Sequence, residues 1–348
     1  PSFRPDIEGE ADIVEEILRI YGFDQIPITN VTDLNTKKTV LNSELKSFYK
    51  IKRVIANTGY LEAVTWSFMD EKIAKLVSTN VIKIKNPISA DLNVMRPSNI
   101  PNLLIAVNQN KSKMISSGKI FEVGPIFDET LEDKQVNVAT GIAYGNTSGN
   151  NWNSTKKNFD VFDIKSDLMT ILKSLNVPID NLNYESISNK VFHPGKSSSL
   201  RIGKNIIANF GELNPIILKS LNVSNVVVAF EIFTNTLAQF LGKKTSTISA
   251  FDNNPFQTVE RDFAFLVPQS IKANDIVNKI KKIDKKIINK ILIFDVYEGE
   301  KIDNDSKSIA IRVQLQPLEK TFSDEEIESI SNQVIDNVIS SFSAILRK

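Results

Sequence analysis

Residues 250–348 switch between a two-residue and a 3.6-residue hydrophobic period in the order strand, helix, strand, strand, helix, strand. The strands are expected over Asp262–Val267, Ile291–Tyr297, Ser308–Gln314 and Ala344–Arg347. The helices are expected over about Ala273–Asp284 and Asp324–Phe342. Ser323-Asp-Glu-Glu326 opens the second helix as a capping box, with Ser323 as N-cap and Glu326 reaching back. That order is the split βαβ plan, and the plan alone names no function.

Upstream the pattern is mixed. Ile13, Ile17 and Ile20, with Val14, Leu18 and Tyr21, recur at helical spacing, and Gly22 follows as a C-cap. Pro27 prevents the helix from resuming, and residues 29–40 are polar and read as a linker. A helix is expected from about Asn42 to Asn57, then strands over Ala63–Phe68, Val81–Lys85, Gly118–Phe127 and Val136–Tyr144. Pro101–Asn110 reads as a helix with Pro101 in its first turn, and Asn146–Ser154 as an exposed loop. Phe162–Leu175 is a second amphipathic helix, and Leu200–Phe210 and Val226–Phe233 are strands. The 348 residues suffice for two or three domains: residues 1–28, then 41–245 beyond the linker, then 250–348.

Composition narrows the chemistry. There is no cysteine, so disulfides, thiol nucleophiles and cysteine–zinc sites are excluded. The only histidine is His193, which excludes multi-histidine metal sites and leaves one residue for any Ser-His-Asp triad. His193-Pro194-Gly195 reads as a structural turn. A net charge of +1 gives no global field for nucleic acid, so an RNA site must be local. No apolar run approaches the ~20 residues that span a bilayer, and no membrane role is expected. The chain opens on Pro1-Ser2 without methionine, so a missing targeting signal carries no weight.

Three groups of segments, in order, point to one family. Pro1-Ser-Phe-Arg4-Pro-Asp6 with Asp12-Ile-Val-Glu15-Glu16-Ile-Leu-Arg19-Ile-Tyr21-Gly22-Phe-Asp24-Gln-Ile-Pro27 resembles the end of a B5 domain. Asn86-Pro87-Ile-Ser89, Met95-Arg96-Pro-Ser98, Phe121-Glu122-Val-Gly124, His193-Pro194-Gly195-Lys196-Ser197 and Gly211-Glu212-Leu-Asn-Pro215 resemble a catalytic-like core. Val259-Glu-Arg261-Asp262, Phe294-Asp295-Val-Tyr297 and Lys307-Ser308 resemble an anticodon-binding domain. Together they resemble the C-terminal portion of the β subunits of bacterial phenylalanyl-tRNA synthetases.

The resemblance implies an α+β fold class: a class II synthetase-like antiparallel-sheet core, then a ferredoxin-like βαββαβ domain. It implies a cytoplasmic, non-catalytic subunit of an ATP-dependent phenylalanine–tRNA ligase, working as an α₂β₂ heterotetramer on tRNA-Phe. The α subunit would bind ATP and phenylalanine. Full-length β subunits also carry an N-terminal tRNA-binding domain and an editing domain; neither precedes Pro1, so this chain is expected not to edit misacylated tRNA.

The same resemblance assigns residues. It places Mg²⁺ on Asp6, Asp12, Glu15 and Glu16. Helical spacing puts the last three on one face, and carboxylates suit that ion, although acids are also favoured in a first helical turn and Arg19 can pair with Glu15 or Glu16. Class II chemistry needs arginines on the ATP phosphates, in a strand of the second motif and in a Gly-rich third motif. Here Glu122 stands about where the first would be, and Gly211–Pro215 lacks the second. The core therefore reads as catalytically inactive, with Arg96 structural. In the family, positions matching Asp295, Tyr297 and Ser308 contact the first anticodon base. Strand alternation puts Asp295 and Tyr297 on one face and Phe294 in the core. Lys281, Lys282, Lys285 and Lys286 are either phosphate contacts or a solvated face. Two other readings stay open: a free-standing class II-type ligase, and a non-enzymatic RNA-binding or regulatory protein built from the same modules.

Overall fold

The computed structural model describes residues 2–28, 41–130, 135–148, 152–153, 155–187, 189–241, 254–299, 302 and 305–347. The expected linker at 29–40 lies outside the described residues, as does part of the expected loop 146–154. The chain divides into two units, Pro1–Lys244 and Thr245–Lys348. No helix among the described residues is long and apolar enough to cross a membrane.

The first unit opens with α1, Glu10–Tyr21. Asp12 starts it by accepting from the N–H groups of Glu8 and Gly9 at 2.9 and 2.8 Å. Gly22 ends it at φ 101°, a backbone that side chains with a Cβ rarely adopt, and donates to the Leu18 carbonyl. Then come α2 (Ser43–Asn57), β1 (Leu61–Glu62), β2 (Phe68–Met69), α3 (Glu71–Ala74), β3 (Val94–Met95) and α4 (Ile100–Ser112). They are followed by β4 (Gly118–Phe127), β5 (Gln135–Tyr144), α5 (Val161–Ser174), β6 (Asn183–Glu185), β7 (Phe192–Ile202), β8 (Asn205–Leu213), α6 (Pro215–Ser220), β9 (Val227–Phe233) and α7 (Thr234–Leu241).

Seven strands form one sheet in the order β1-β4-β5-β9-β8-β7-β6, parallel only at β1–β4. Alternation serves two cores. Phe121, Ala139 and Phe230 pack with Ile55 of α2, Leu168 of α5 and Leu237 of α7. Ile120, Ile142 and Ala229 pack on the other side with Leu103 and Leu104 of α4 and Ile217 of α6. Such double coverage explains why β9 reads as an almost unbroken apolar run.

Three expectations are corrected here. Ala63–Phe68 is not one strand: only Phe68, opposite Met95, belongs to a ladder, while the Thr65 N–H donates to Glu122 Oε1 and the Trp66 carbonyl accepts from Asn102 Nδ2. Val81–Lys85 contributes one isolated bridge, Lys83 to Val94. Leu200–Phe210 is the tip of a hairpin, turned where Gly203 takes φ 59°. His193-Pro194-Gly195 sits in β7 as a register irregularity, braced by the Gly195 N–H donating to His193 Nδ1 at 3.0 Å.

The second unit holds β10 (Val259–Pro268), α8 (Ala273–Lys281), β11 (Ile288–Tyr297), β12 (Ser306–Leu315), α9 (Asp324–Phe342) and β13 (Ile345–Arg347). Its antiparallel sheet has the order β11-β12-β10-β13. The capping box of α9 is made: the Ser323 N–H donates to Glu326 Oε2 at 2.9 Å, and the Glu326 N–H to Ser323 Oγ at 3.3 Å. Phe263, Phe265, Ile309, Ile311 and Val313 form one core with Ile276 and Ile280 of α8 and Val334 and Val338 of α9. Both helices therefore cover the same face, and no described helix of this unit covers the opposite one.

Candidate nucleic-acid interface

Pairing between β11 and β12 builds the site. Tyr297 lies opposite Ser308, Asp295 opposite Ala310, and Ile293 opposite Ile311. Ile311 faces the helices, so Ser308 and Ala310 face away, and Tyr297 and Asp295 go with them. The three residues expected together are together, at one end of the hairpin. Asp295 is exposed and Tyr297 is 39% exposed, whereas Ser308 is buried and offers a ligand least. Gly299 leaves room for the Tyr297 ring, since a methyl there would stand 2.8 Å from Tyr297 Oη.

Phe294 departs from the expectation. The register slips between Ile293 and Asp295, which makes Phe294 an unpaired extra residue. It is 51% exposed, not in the core. Its ring lies 5.6 Å from the Arg312 guanidinium, a residue of the open face. Arg312 donates to both Asp262 oxygens at 2.7 Å and lies 3.3 Å from Glu260. This pairing holds the Asp262 carboxyl below the usual range. One signal for Phe294 existed: Ile291, Leu292, Ile293, Phe294 and Val296 are apolar on both parities, more than one covered face requires.

The four lysines are elsewhere. Lys281 ends α8, Lys282 caps it, and Lys285 and Lys286 flank a turn closed by Asp284, which accepts from the Lys286 N–H at 2.8 Å. All four are exposed. They lie at the start of β11, roughly 30 Å from Tyr297 at about 3.3 Å per strand residue.

The acidic group does not converge. Asp6 is held by Arg4 at 2.7 Å, and Glu16 by Arg4 at 2.8 Å and Arg19 at 2.7 Å. Hydrogen bonds from Arg4 to Asp6 and from Arg19 and Arg4 to Glu16 keep both carboxyls below their usual range. Asp12 is lowered by the Gly9 and Glu8 N–H groups. Glu15 is exposed and has no ion-pair partner among the described residues. No group of three or more metal-ligating side chains is gathered among the described residues. As placed, these four do not fit Mg²⁺.

In the first unit a buried polar row crosses five strands. Glu122 pairs with Thr140, Thr140 with Glu231, Glu231 with Asn209, and Asn209 with Ser199. All five are buried, beneath the equally buried Arg96, Ser98 and Asn99. Arg96 donates to Glu122 Oε1 at 2.6 Å, to the Pro125 carbonyl at 2.8 Å and to Thr65 Oγ1 at 3.0 Å. Ser98 Oγ donates to Glu231 at 3.0 Å, and Asn99 Nδ2 to Thr140 Oγ1 at 3.2 Å. Sequence reading singled out only Glu122 and Arg96. The other members sit one per strand and share a neighbourhood only through the register.

Family models match nearly the whole chain. Residues 26–234 match the phenylalanyl tRNA synthetase beta chain CLM domain, 254–347 the ferredoxin-fold anticodon binding domain, and 1–23 the tRNA synthetase B5 domain. The phenylalanine–tRNA ligase beta subunit of Mesorhizobium japonicum is 36% identical, covering 100% of this chain and 44% of that protein. Its counterpart in Rhodospirillum rubrum is 36% identical over 97% of this chain and 42% of that protein. That of Bartonella quintana is 38% identical over 100% and 44%. The chain thus spans less than half the length of these relatives.

Proposed function

This chain belongs to the phenylalanyl-tRNA synthetase β-chain family, and from that premise we propose that it is the part of a phenylalanine–tRNA ligase that holds the partner subunit and reads the anticodon. The ligase joins phenylalanine to tRNA-Phe at the expense of ATP, in the cytoplasm, as an α₂β₂ assembly whose α subunit binds ATP and phenylalanine. Residues 1–28 are the end of a B5 domain, 29–40 a linker, 41–245 a class II-like core without catalysis, and 250–348 the anticodon reader.

The observation that carries the reading is the register that sets Tyr297 opposite Ser308, with Asp295 on the same open face. Unpaired bases are read by aromatic stacking and hydrogen bonds at their edges. Tyr297 stacks on the first anticodon base, the Asp295 carboxylate accepts from a guanine edge, and Ser308 adds a polar contact. The four exposed lysines, far from this end, neutralise phosphates of another part of the tRNA. Aminoacylation by the assembly reconstituted with an α subunit is the test, comparing tRNA-Phe with a variant at the first anticodon base. Tyr297→Ala is expected to lower efficiency on tRNA-Phe by on the order of tenfold, the worth of a base–aromatic stack, and to shrink the gap between the two RNAs. An unchanged gap refutes the assignment.

The inactive core is supported by the fate of Glu122. Its carboxylate is bound by Arg96, so neither side chain is offered to a phosphate. Phenylalanine-dependent ATP–pyrophosphate exchange by this chain alone is expected at background, and activity above it would support a free-standing ligase. Family likeness also proposes Mg²⁺ on Asp6, Asp12, Glu15 and Glu16. The ion would have to replace Arg4 at Asp6 and Glu16. Calorimetric Mg²⁺ uptake that disappears in Glu15→Ala/Glu16→Ala is the result it requires.

A further inference from the structure

The bulge in β11 places a second aromatic ring on the face that carries Tyr297. Without it, residues three apart would face opposite ways, and Phe294 and Tyr297 could not share a face; with it, Phe294 and Asp295 both leave the helix-covered core. Half-exposed phenylalanine is costly to leave in water, and here the Arg312 guanidinium lies 5.6 Å from the ring. Arg312 is not free to wander. Two hydrogen bonds of 2.7 Å to Asp262 fix the plane of its guanidinium, and Glu260 stands 3.3 Å away. Cross-strand pairing puts Glu260, Asp262 and Asp295 on this face together with Lys290, Arg312 and Arg347. The carboxylates of this face can accept N–H groups from base edges.

We propose that Phe294 and Arg312 form a second stacking platform, which holds the base of the unpaired nucleotide next to the one on Tyr297. The proposal rests on the anticodon reading and extends it from one base to two. Aromatic rings and arginine planes both stack on splayed bases, and a four-stranded sheet with exposed aromatics holds two or three of them. The two rings are three residues apart on one strand, at most about 10 Å along it. Neighbouring unstacked bases can span that interval. The Asp262 carboxylate beside Arg312 is then an acceptor for the second base, as Asp295 is for the first.

The experiment titrates the full chain with a tRNA-Phe anticodon stem-loop and with three copies of it. One lacks the first anticodon base, and the other two lack one flanking base each. Phe294→Leu keeps an apolar side chain at a half-exposed position and removes the π face. It is expected to weaken binding of the intact RNA by roughly tenfold. That loss should vanish on the RNA lacking one flanking base and persist on the RNA lacking the first anticodon base. Phe294→Trp, which keeps a π face, should bind within about twofold of the parent. Tyr297→Leu, run beside it, should lose its effect only on the RNA lacking the first base. A Phe294→Leu loss that is equal on all four RNAs marks a structural role and overturns the platform. If Tyr297→Leu shows its own loss and Phe294→Leu shows none, the platform falls and the reading at Tyr297 stands. If neither variant changes binding, or the chain binds none of the RNAs, both fall.

Discussion

Replacing Glu122 with alanine is expected to cost the first unit about 3–5 kcal/mol of stability. Glu122 and Arg96 form an ion pair whose side chains are 5% and 2% exposed. Taking the carboxylate away leaves a guanidinium in a dry core with one of its main acceptors gone. Arg96 packs closely over Gly124, where even a methyl would stand 2.5 Å from its Nη2 atom. The Pro125 carbonyl and Thr65 hydroxyl remain as acceptors, but neither carries charge. Removing both ions is another matter. A buried pair gains little over apolar side chains of like volume, so Arg96→Met/Glu122→Leu should lose less than Glu122→Ala. Urea unfolding followed by tryptophan fluorescence checks this, since both tryptophans, Trp66 and Trp152, belong to the first unit. A single-variant loss under about 1 kcal/mol would mean that water reaches the guanidinium.

Glu231→Gln is expected to stabilise the first unit at pH 8 and to change it little below pH 5. Burial pushes the Glu231 carboxyl up to about 7 from an ordinary 4.5, against the pull of the Ser98 hydrogen bond. Between those values the folded chain holds a proton that the unfolded chain has released. The stability that Glu231 contributes is therefore full below pH 4.5, falls as pH rises towards 7, and levels off above it. The whole fall is about 3 kcal/mol, at 1.36 kcal/mol for each tenfold change in proton affinity. Glutamine keeps an acceptor for Ser98 and cannot ionise, so the slope should disappear. Unfolding midpoints of parent and variant from pH 4.5 to 8.5 make the comparison. Parallel curves would show that Glu231 is ionised throughout in the folded state.

Both predictions concern the polar row, and most of that row is invisible along the chain. Glu231 stands alone in the run Val227–Phe233, where it reads as an interruption. Thr140, Asn209 and Ser199 are ordinary polar residues in strands. Antiparallel register alone makes them neighbours. The same is true of Arg96, which meets Glu122 from 26 residues away.

What the residues alone determined is local. Ser323 and Glu326 begin α9, whose bounds Asp324–Phe342 match the expectation, and Gly22 ends α1. The order strand, helix, strand, strand, helix, strand was legible because each period states which face is apolar, whereas the sheet order was set by long-range pairing. The expected neighbourhood of Asp295, Tyr297 and Ser308 was legible for the same reason, once a hairpin was assumed. Tertiary structure decided the rest. It turned Phe294 outward, because one extra residue in β11 breaks the alternation on which the inward reading depended. It set Asp6 and Glu16 against Arg4, because a guanidinium within reach neutralises carboxylates that spacing alone would leave to repel. It parted the lysines from Tyr297 by the length of a strand. Periodicity reports which side of an element is buried; it holds no information on register, bulges or the partners that long-range pairing brings to a charge.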